Sequence, residues 1–128
     1  MKFICFGYLD TQAWGKKSPR EQEDCIDACL AYDETLQKNG HWVRGEALEG
    51  ATTLSHQNGQ VVVTDGPYAE TKELLGGLLI VEAKDLKHAI QLISNHPGMK
   101  MGRWEIRPAG NLDAMVEESK RRRAAKNK

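Results

Sequence analysis

The sequence predicts an α+β domain in which a split βαβ repeat carries an extra β-hairpin and an antiparallel sheet bears two helices on one face. Three observations lead there. An apolar N-terminal run precedes a capped amphipathic helix, the run GGLLIVEA at 76–83 precedes a second capped helix, and an Asn58-Gly59 turn sits between two short β-branched segments. The resulting order, β-α-β-β-β-α-β, is the ferredoxin-like plan with a hairpin added.

Residues 3–9 form an apolar and aromatic run suited to a buried strand, and 10–17 read as a polar loop interrupted by Trp14 and Gly15. Ser18-Pro19-Arg20-Glu21 is a capping box with proline at the first helical position. A helix should start there. Cys25, Ile26, Cys29, Leu30, Tyr32 and Leu36 then recur at helical spacing, and Gly40 ends the helix. Residues 42–48 read as a strand with Gly45 as a bulge or close contact. A further strand at 51–56 and Val61-Val62-Val63 flank the hairpin turn. The central strand at 76–83 leads to a helix capped by Asp85, running to Asn95 and stopped by Pro97-Gly98. A last strand at 103–108 precedes a short charged helix from Asn111.

The 128 residues, 40% hydrophobic and 28% charged, suit one globular domain with a real core, without disulfides or a structural metal. No apolar run reaches the roughly 20 residues of a membrane helix. The opening MKFICFGYLD is too short and too weakly basic for a signal peptide, so the cytoplasm is the expected compartment. Lysine plus arginine equals aspartate plus glutamate, 18 each, but residues 117–128 hold six basic and two acidic side chains, leaving the body acidic. An acidic body repels phosphate, so nucleic acid is not the expected partner and the basic tail reads as a solvated terminus.

Cys5, Cys25 and Cys29 are an odd set without a CxxC and are expected to be reduced, buried small hydrophobes; no metal site is expected. His41, His56, His88 and His96 lie at no metal-ligand spacing and are expected at the surface, with His41 the best placed to reach a site. No GxGxxG, P-loop, HExxH or GxSxG motif is present, and no cofactor is expected. A single-layer sheet leaves one face uncovered, and the expected remedy is a homodimer pairing two sheets across a two-fold axis.

The most distinctive stretch, Val63-Thr64-Asp65-Gly66-Pro67-Tyr68-Ala69-Glu70-Thr71-Lys72-Glu73, resembles the signature of the YCII-related superfamily in its DGPF branch. Supporting matches at the first strand, Trp14, Ser18-Pro19, Gly76-Gly77 and Glu105-Ile106-Arg107-Pro108 extend the resemblance over 1–110, leaving 111–128 as a charged helix and basic tail. Tyr68 stands where phenylalanine is usual. The resemblance implies a dimeric α/β barrel. In the wider superfamily it also implies a His-Asp pair with the histidine on the first helix, but that helix has no histidine here, so the pair does not carry over.

Asp65 is the leading catalytic candidate. An aspartate followed by Gly-Pro can simply build its own turn. Pointed into a cleft beside the loop 10–17, it would instead serve as a general base. Tyr8 and Trp14 flank that loop and would line an apolar pocket or pack in the core; Tyr68 adds a hydroxyl at the corner. Lys72 would form a surface ion pair or anchor an anionic ligand. Arg107 would contact a carboxylate such as Asp65, Glu46 or a substrate acid. The sequence thus leads to a small dimer binding a small organic molecule between the sheet and the loops after strands one and three. As an enzyme it would transfer protons on a small acid or lactone without a cofactor. The other readings are a non-catalytic accessory or regulatory dimer linked to a sigma-factor system, and an interaction protein whose dimer face is its purpose.

Overall fold

The apolar N-terminal run forms β1 (Lys2–Asp10), and its alternate residues Phe3 and Cys5 are fully buried. The computed structural model describes residues 1–68 and 73–127. Asp10 ends the strand by accepting from the backbone N–H groups of Gln12 and Ala13. That cap turns the expected polar loop into a short helix, α1 (Thr11–Gly15).

The capping box forms as the spacing predicts: Ser18 Oγ accepts from the Glu21 N–H and Glu21 accepts from the Ser18 N–H. It starts α2 (Pro19–Lys38), which buries Leu36 and ends before Gly40 at φ 77°. Next come β2 (Trp42–Ala47), β3 (Thr52–Gln57) and β4 (Gln60–Asp65). Asn58 and Gly59 both adopt positive φ, 50° and 77°, as a primed hairpin turn requires.

The central strand β5 (Glu73–Glu82) begins earlier than its apolar run, because β1 pairs with it from Asp10 opposite Glu73 to Lys2 opposite Glu82. Asp85 caps α3 (Leu86–Ser94), a 3-10 turn covers Pro97–Lys100, and β6 (Trp104–Pro108) completes the sheet. The C-terminal helix α4 (Leu112–Lys126) is longer than expected, its Glu117 and Glu118 pairing with Lys120, Arg121 and Arg122 at helical spacing.

Four strands form an antiparallel sheet in the order β2-β5-β1-β6, while β3 and β4 form a separate two-stranded ribbon. Phe3, Cys5, Leu79 and Val81 from the sheet pack against Leu36 of α2 and Ala89 and Ile93 of α3. The core therefore fills one sheet face. On the other, Ile4, Phe6, Leu78 and Ile80 are half-buried in the single chain.

Candidate functional site

The side chains facing the helices shrink along the sheet. Phe3 lies opposite Val81; two residues on, Cys5 lies opposite Leu79 and Leu79 opposite Gly45; two further, Gly7 lies opposite Gly77 and Gly77 opposite Ala47. Because α2 spans all three rows, large side chains close the gap at one end and their absence opens it at the other. The result is a cavity of about 400 Å³ between the sheet and α2, within the size range of small-molecule sites.

The missing side chains also seat two indoles. A Cβ on Gly7 would lie 2.9 Å from the Trp104 ring, and one on Gly45 would collide with the Trp42 ring. Since β5 runs between β1 and β2, the trough above Gly77 is bounded by Trp104 on one side and Trp42 on the other. Ile26, Cys29, Leu30 and Asp33 of α2 form its roof, one helical stripe by their spacing.

Asp33 brings a carboxylate into this otherwise apolar lining, and it is held by His96. The Gly98 N–H donates to His96 Nδ1 at 2.9 Å, so that nitrogen is the acceptor and Nε2–H donates to Asp33 Oδ1, also at 2.9 Å. The imidazole is only 5% exposed. It is clamped between Tyr32, edge-on at 5.2 Å, and Trp104 at 5.0 Å, while the Tyr32 hydroxyl is fixed on the Leu92 carbonyl at 2.6 Å. With both ring nitrogens engaged, His96 has no lone pair left for a ligand. The group of the pair that keeps a lone pair for a ligand is the Asp33 carboxylate.

Cys29, one turn before Asp33, donates to the Met101 sulfur at 3.7 Å, and burial is the main cause pushing its thiol up to about 11. Such a thiol is a packing group, not a nucleophile. Cys5 is likewise pushed up to about 11 by burial. Among the described residues no cluster of His, Cys, Asp and Glu is arranged to hold a metal ion.

The residues singled out from sequence lie mostly elsewhere. Tyr8 borders the cavity, but its hydroxyl crosses to the open sheet face and donates to Glu105 at 2.5 Å. That bond is the main cause raising the Tyr8 phenol and lowering the Glu105 carboxyl. Arg107 is exposed, pairs with Glu105 at 3.2 Å and lies over the Phe6 ring. Its carboxylate partner is thus a neighbour on its own strand and not Asp65 or Glu46. Trp14 sits in α1, where its carbonyl accepts from the Gln22 amide. Asp65 ends β4 opposite Thr52, is exposed, and does not line the cavity. The corner after it rests on Gly66 at φ 98°, and Tyr68 is 91% exposed. Lys72 lies outside the described residues.

His96 and Asp33 were missed. The expectation of a surface role for His96 is corrected by its burial, which follows from the 3-10 turn folding the ring back under Gly98. Asp33 carried a signal: it lies four residues after Cys29 and three after Leu30, a carboxylate within the apolar stripe of α2.

A profile of the YCII-related domain matches residues 1–111. An uncharacterised protein of Rhizobium meliloti (strain 1021) is 30% identical over 100 residues, covering 77% of this chain and 81% of the relative. The solved 5-chloro-2-hydroxyhydroquinone dehydrochlorinase TftG of Burkholderia phenoliruptrix AC1100, in complex with 2,5-dihydroxybenzoquinone, superposes with a TM-score of 0.55 at 19% identity over 87% of this chain and 95% of that one. That likeness is one of fold.

Proposed function

This chain belongs to the YCII-related family, and we propose that it binds a small ring-shaped molecule beneath α2 and acts on it by proton transfer without a cofactor, Asp33 serving as the acid–base group and His96 as its positioning residue. One observation carries the reading: an apolar cavity of about 400 Å³ has a carboxylate in its wall whose orientation is fixed by a buried imidazole. A carboxylate held by one oxygen keeps the other for a substrate proton, and a water-poor recess strengthens that interaction. The quinone carried by TftG is of a size that suits such a recess. A cyclic carbon acid, such as a lactone, would lose a proton from carbon to Asp33 and receive it back at a different atom.

The working form is a homodimer of the DGPF branch. The open sheet face supports this by its composition. Across the four strands, Arg44-Ile80-Ile4-Arg107 form one row and Glu46-Leu78-Phe6-Glu105 the next, an apolar centre flanked on both edges by an Arg-Glu pair. Such a pattern complements itself across a two-fold axis. On the β3–β4 ribbon, Leu54, Val61 and Val63 are each more than 60% exposed, which a single chain has no reason to tolerate.

The test is deuterium uptake from D2O into the carbon beside the carbonyl of 2-coumaranone, followed by proton NMR. The protein should accelerate the exchange, and Asp33→Asn should remove about 10²–10⁴-fold of that acceleration. Equal rates with and without protein, or an unaffected Asp33→Asn variant, would reject the catalytic role.

A further inference from the structure

The charge distribution of the cavity narrows its ligand class, an inference that rests on the binding reading above and deepens it. We infer that the recess takes an electrically neutral ring bearing a hydroxyl or comparable proton donor, and that it discriminates against organic anions of the same size.

Among the described residues no lysine or arginine lines the cavity, whereas the Asp33 carboxylate does; Glu46 borders it through its backbone, its side chain lying on the open sheet face. The arginines nearest in sequence to the lining strands are committed elsewhere. Arg44 holds Glu46 at 2.6 Å, Arg107 holds Glu105 at 3.2 Å, and Arg103 lies 3.7 Å from Glu73. Three neutral donors at the cavity are spent, and the indole N–H of Trp104, unpartnered among the described residues, is buried within the wall rather than presented to the recess. His96 gives its Nε2–H to Asp33, the Gly98 N–H goes to His96, and the Cys29 thiol donates to Met101. The N-terminus of α2 is closed by its own capping box, so its dipole offers no anion seat. An entering carboxylate would therefore shed its hydration, meet no cation, and face the Asp33 carboxylate.

A neutral hydroxyl meets the opposite situation. The Asp33 oxygen not held by His96 can accept its proton, and a hydrogen bond to a charged acceptor is among the stronger kind. The ring itself would rest above Gly77 between the two indoles, where apolar contact supplies most of the affinity. This departs from the small organic acid of the sequence reading and retains its lactone alternative.

The test compares phenol and benzoate, two rings of similar size, by isothermal titration calorimetry at neutral pH on the full chain. Phenol should bind at least tenfold more tightly than benzoate. Leu30→Trp, a change at a roof position that is 56% exposed, should weaken phenol at least tenfold while leaving the thermal unfolding midpoint in place. Benzoate binding as tightly as phenol, with Leu30→Trp weakening both, would overturn the neutral-ligand inference and leave the cavity as the binding site. Absence of heat with either compound, or binding of phenol that Leu30→Trp does not touch, would overturn the cavity reading and the inference together.

Discussion

His96 and Asp33 stand 63 residues apart and share one hydrogen bond of 2.9 Å, and the second nitrogen of the same imidazole is already taken by the Gly98 N–H. The direction of both bonds makes the histidine an orienting group and leaves the aspartate as the one able to accept a proton or hydrogen bond from a ligand. Removal of the two residues should therefore have different consequences.

Asp33→Asn keeps the size and hydrogen-bonding shape of the side chain while replacing the charged acceptor. Phenol affinity should fall about tenfold or more, with stability nearly unchanged. His96→Ala leaves both the Gly98 N–H and the Asp33 carboxylate without their partner, costing about 1–3 kcal/mol for each buried orphan, and weakens phenol by releasing the carboxylate from its fixed orientation. His96→Gln, whose amide can still donate to Asp33, should recover much of the binding. Calorimetric affinities and denaturant unfolding of the three variants check the split; equal losses of binding and stability in all three would mean that the pair is only structural.

The two glycine seats give a steric prediction. Gly7→Ala pushes a methyl into the Trp104 ring and Gly45→Ala pushes one into the Trp42 ring. Each should destabilise by roughly 1–3 kcal/mol, the usual cost of overpacking. Combining Gly45→Ala with Trp42→Leu should restore part of the loss, because the smaller side chain vacates the space the methyl needs. Urea unfolding midpoints decide it, and a Gly45→Ala protein as stable as the wild type would show that Trp42 does not rest there.

Local signals were legible because their chemistry is local. Ser18-Pro19 and Glu21 specify a helix start, and Asn58-Gly59 specifies a primed turn, through hydrogen bonds and φ preferences that reach only a few residues. The apolar runs at 3–9 and 76–83 marked buried strands, while the pairing of β1 with β5 decides which alternate residues form the core. Asp10 was misjudged as part of a loop because its capping bonds to Gln12 and Ala13 stabilise a helix too short to show periodicity. The site was less legible for a different reason. The recess arises from what Gly7, Gly77 and Ala47 lack once three strands are in register, and its polar pair forms across a long sequence separation. A search for conspicuous polar residues leads to Asp65 and Arg107, which are exposed, while His96 resembles an ordinary helix-end residue until the chain turns at Pro97.

The Tyr8–Glu105 pair gives a pH dependence. Glu105 titrates below its ordinary value of 4.5, so its contribution to stability is complete above pH 4.5 and is lost as pH falls through the lowered value. Tyr8 titrates above its ordinary value of 10.0, so its contribution is complete below pH 10 and is lost as pH rises through the raised value. The stability gap between wild type and Tyr8→Phe should be widest between these limits and narrow on the acid side of pH 4.5 and the alkaline side of pH 10. Chemical denaturation across the range checks it; a constant gap would show that the hydrogen bond carries no ionisation energy.

The open sheet face predicts a concentration-dependent dimer. Phe6 sits at the middle of that face, over which Arg107 lies at 5.5 Å from its ring centre. Phe6→Glu should shift sedimentation equilibrium toward the monomer by at least tenfold in dissociation constant, since a buried unpaired charge would be placed against its own copy. A wild-type protein that sediments as a monomer at micromolar concentration would contradict the dimer.

A crystal structure of the phenol complex is the most direct measurement. The ring should lie above Gly77 between Trp42 and Trp104, with its hydroxyl within hydrogen-bond distance of Asp33. A ring seated instead at the Asp65–Tyr68 corner, with the recess beneath α2 empty, would contradict the assignment of the site.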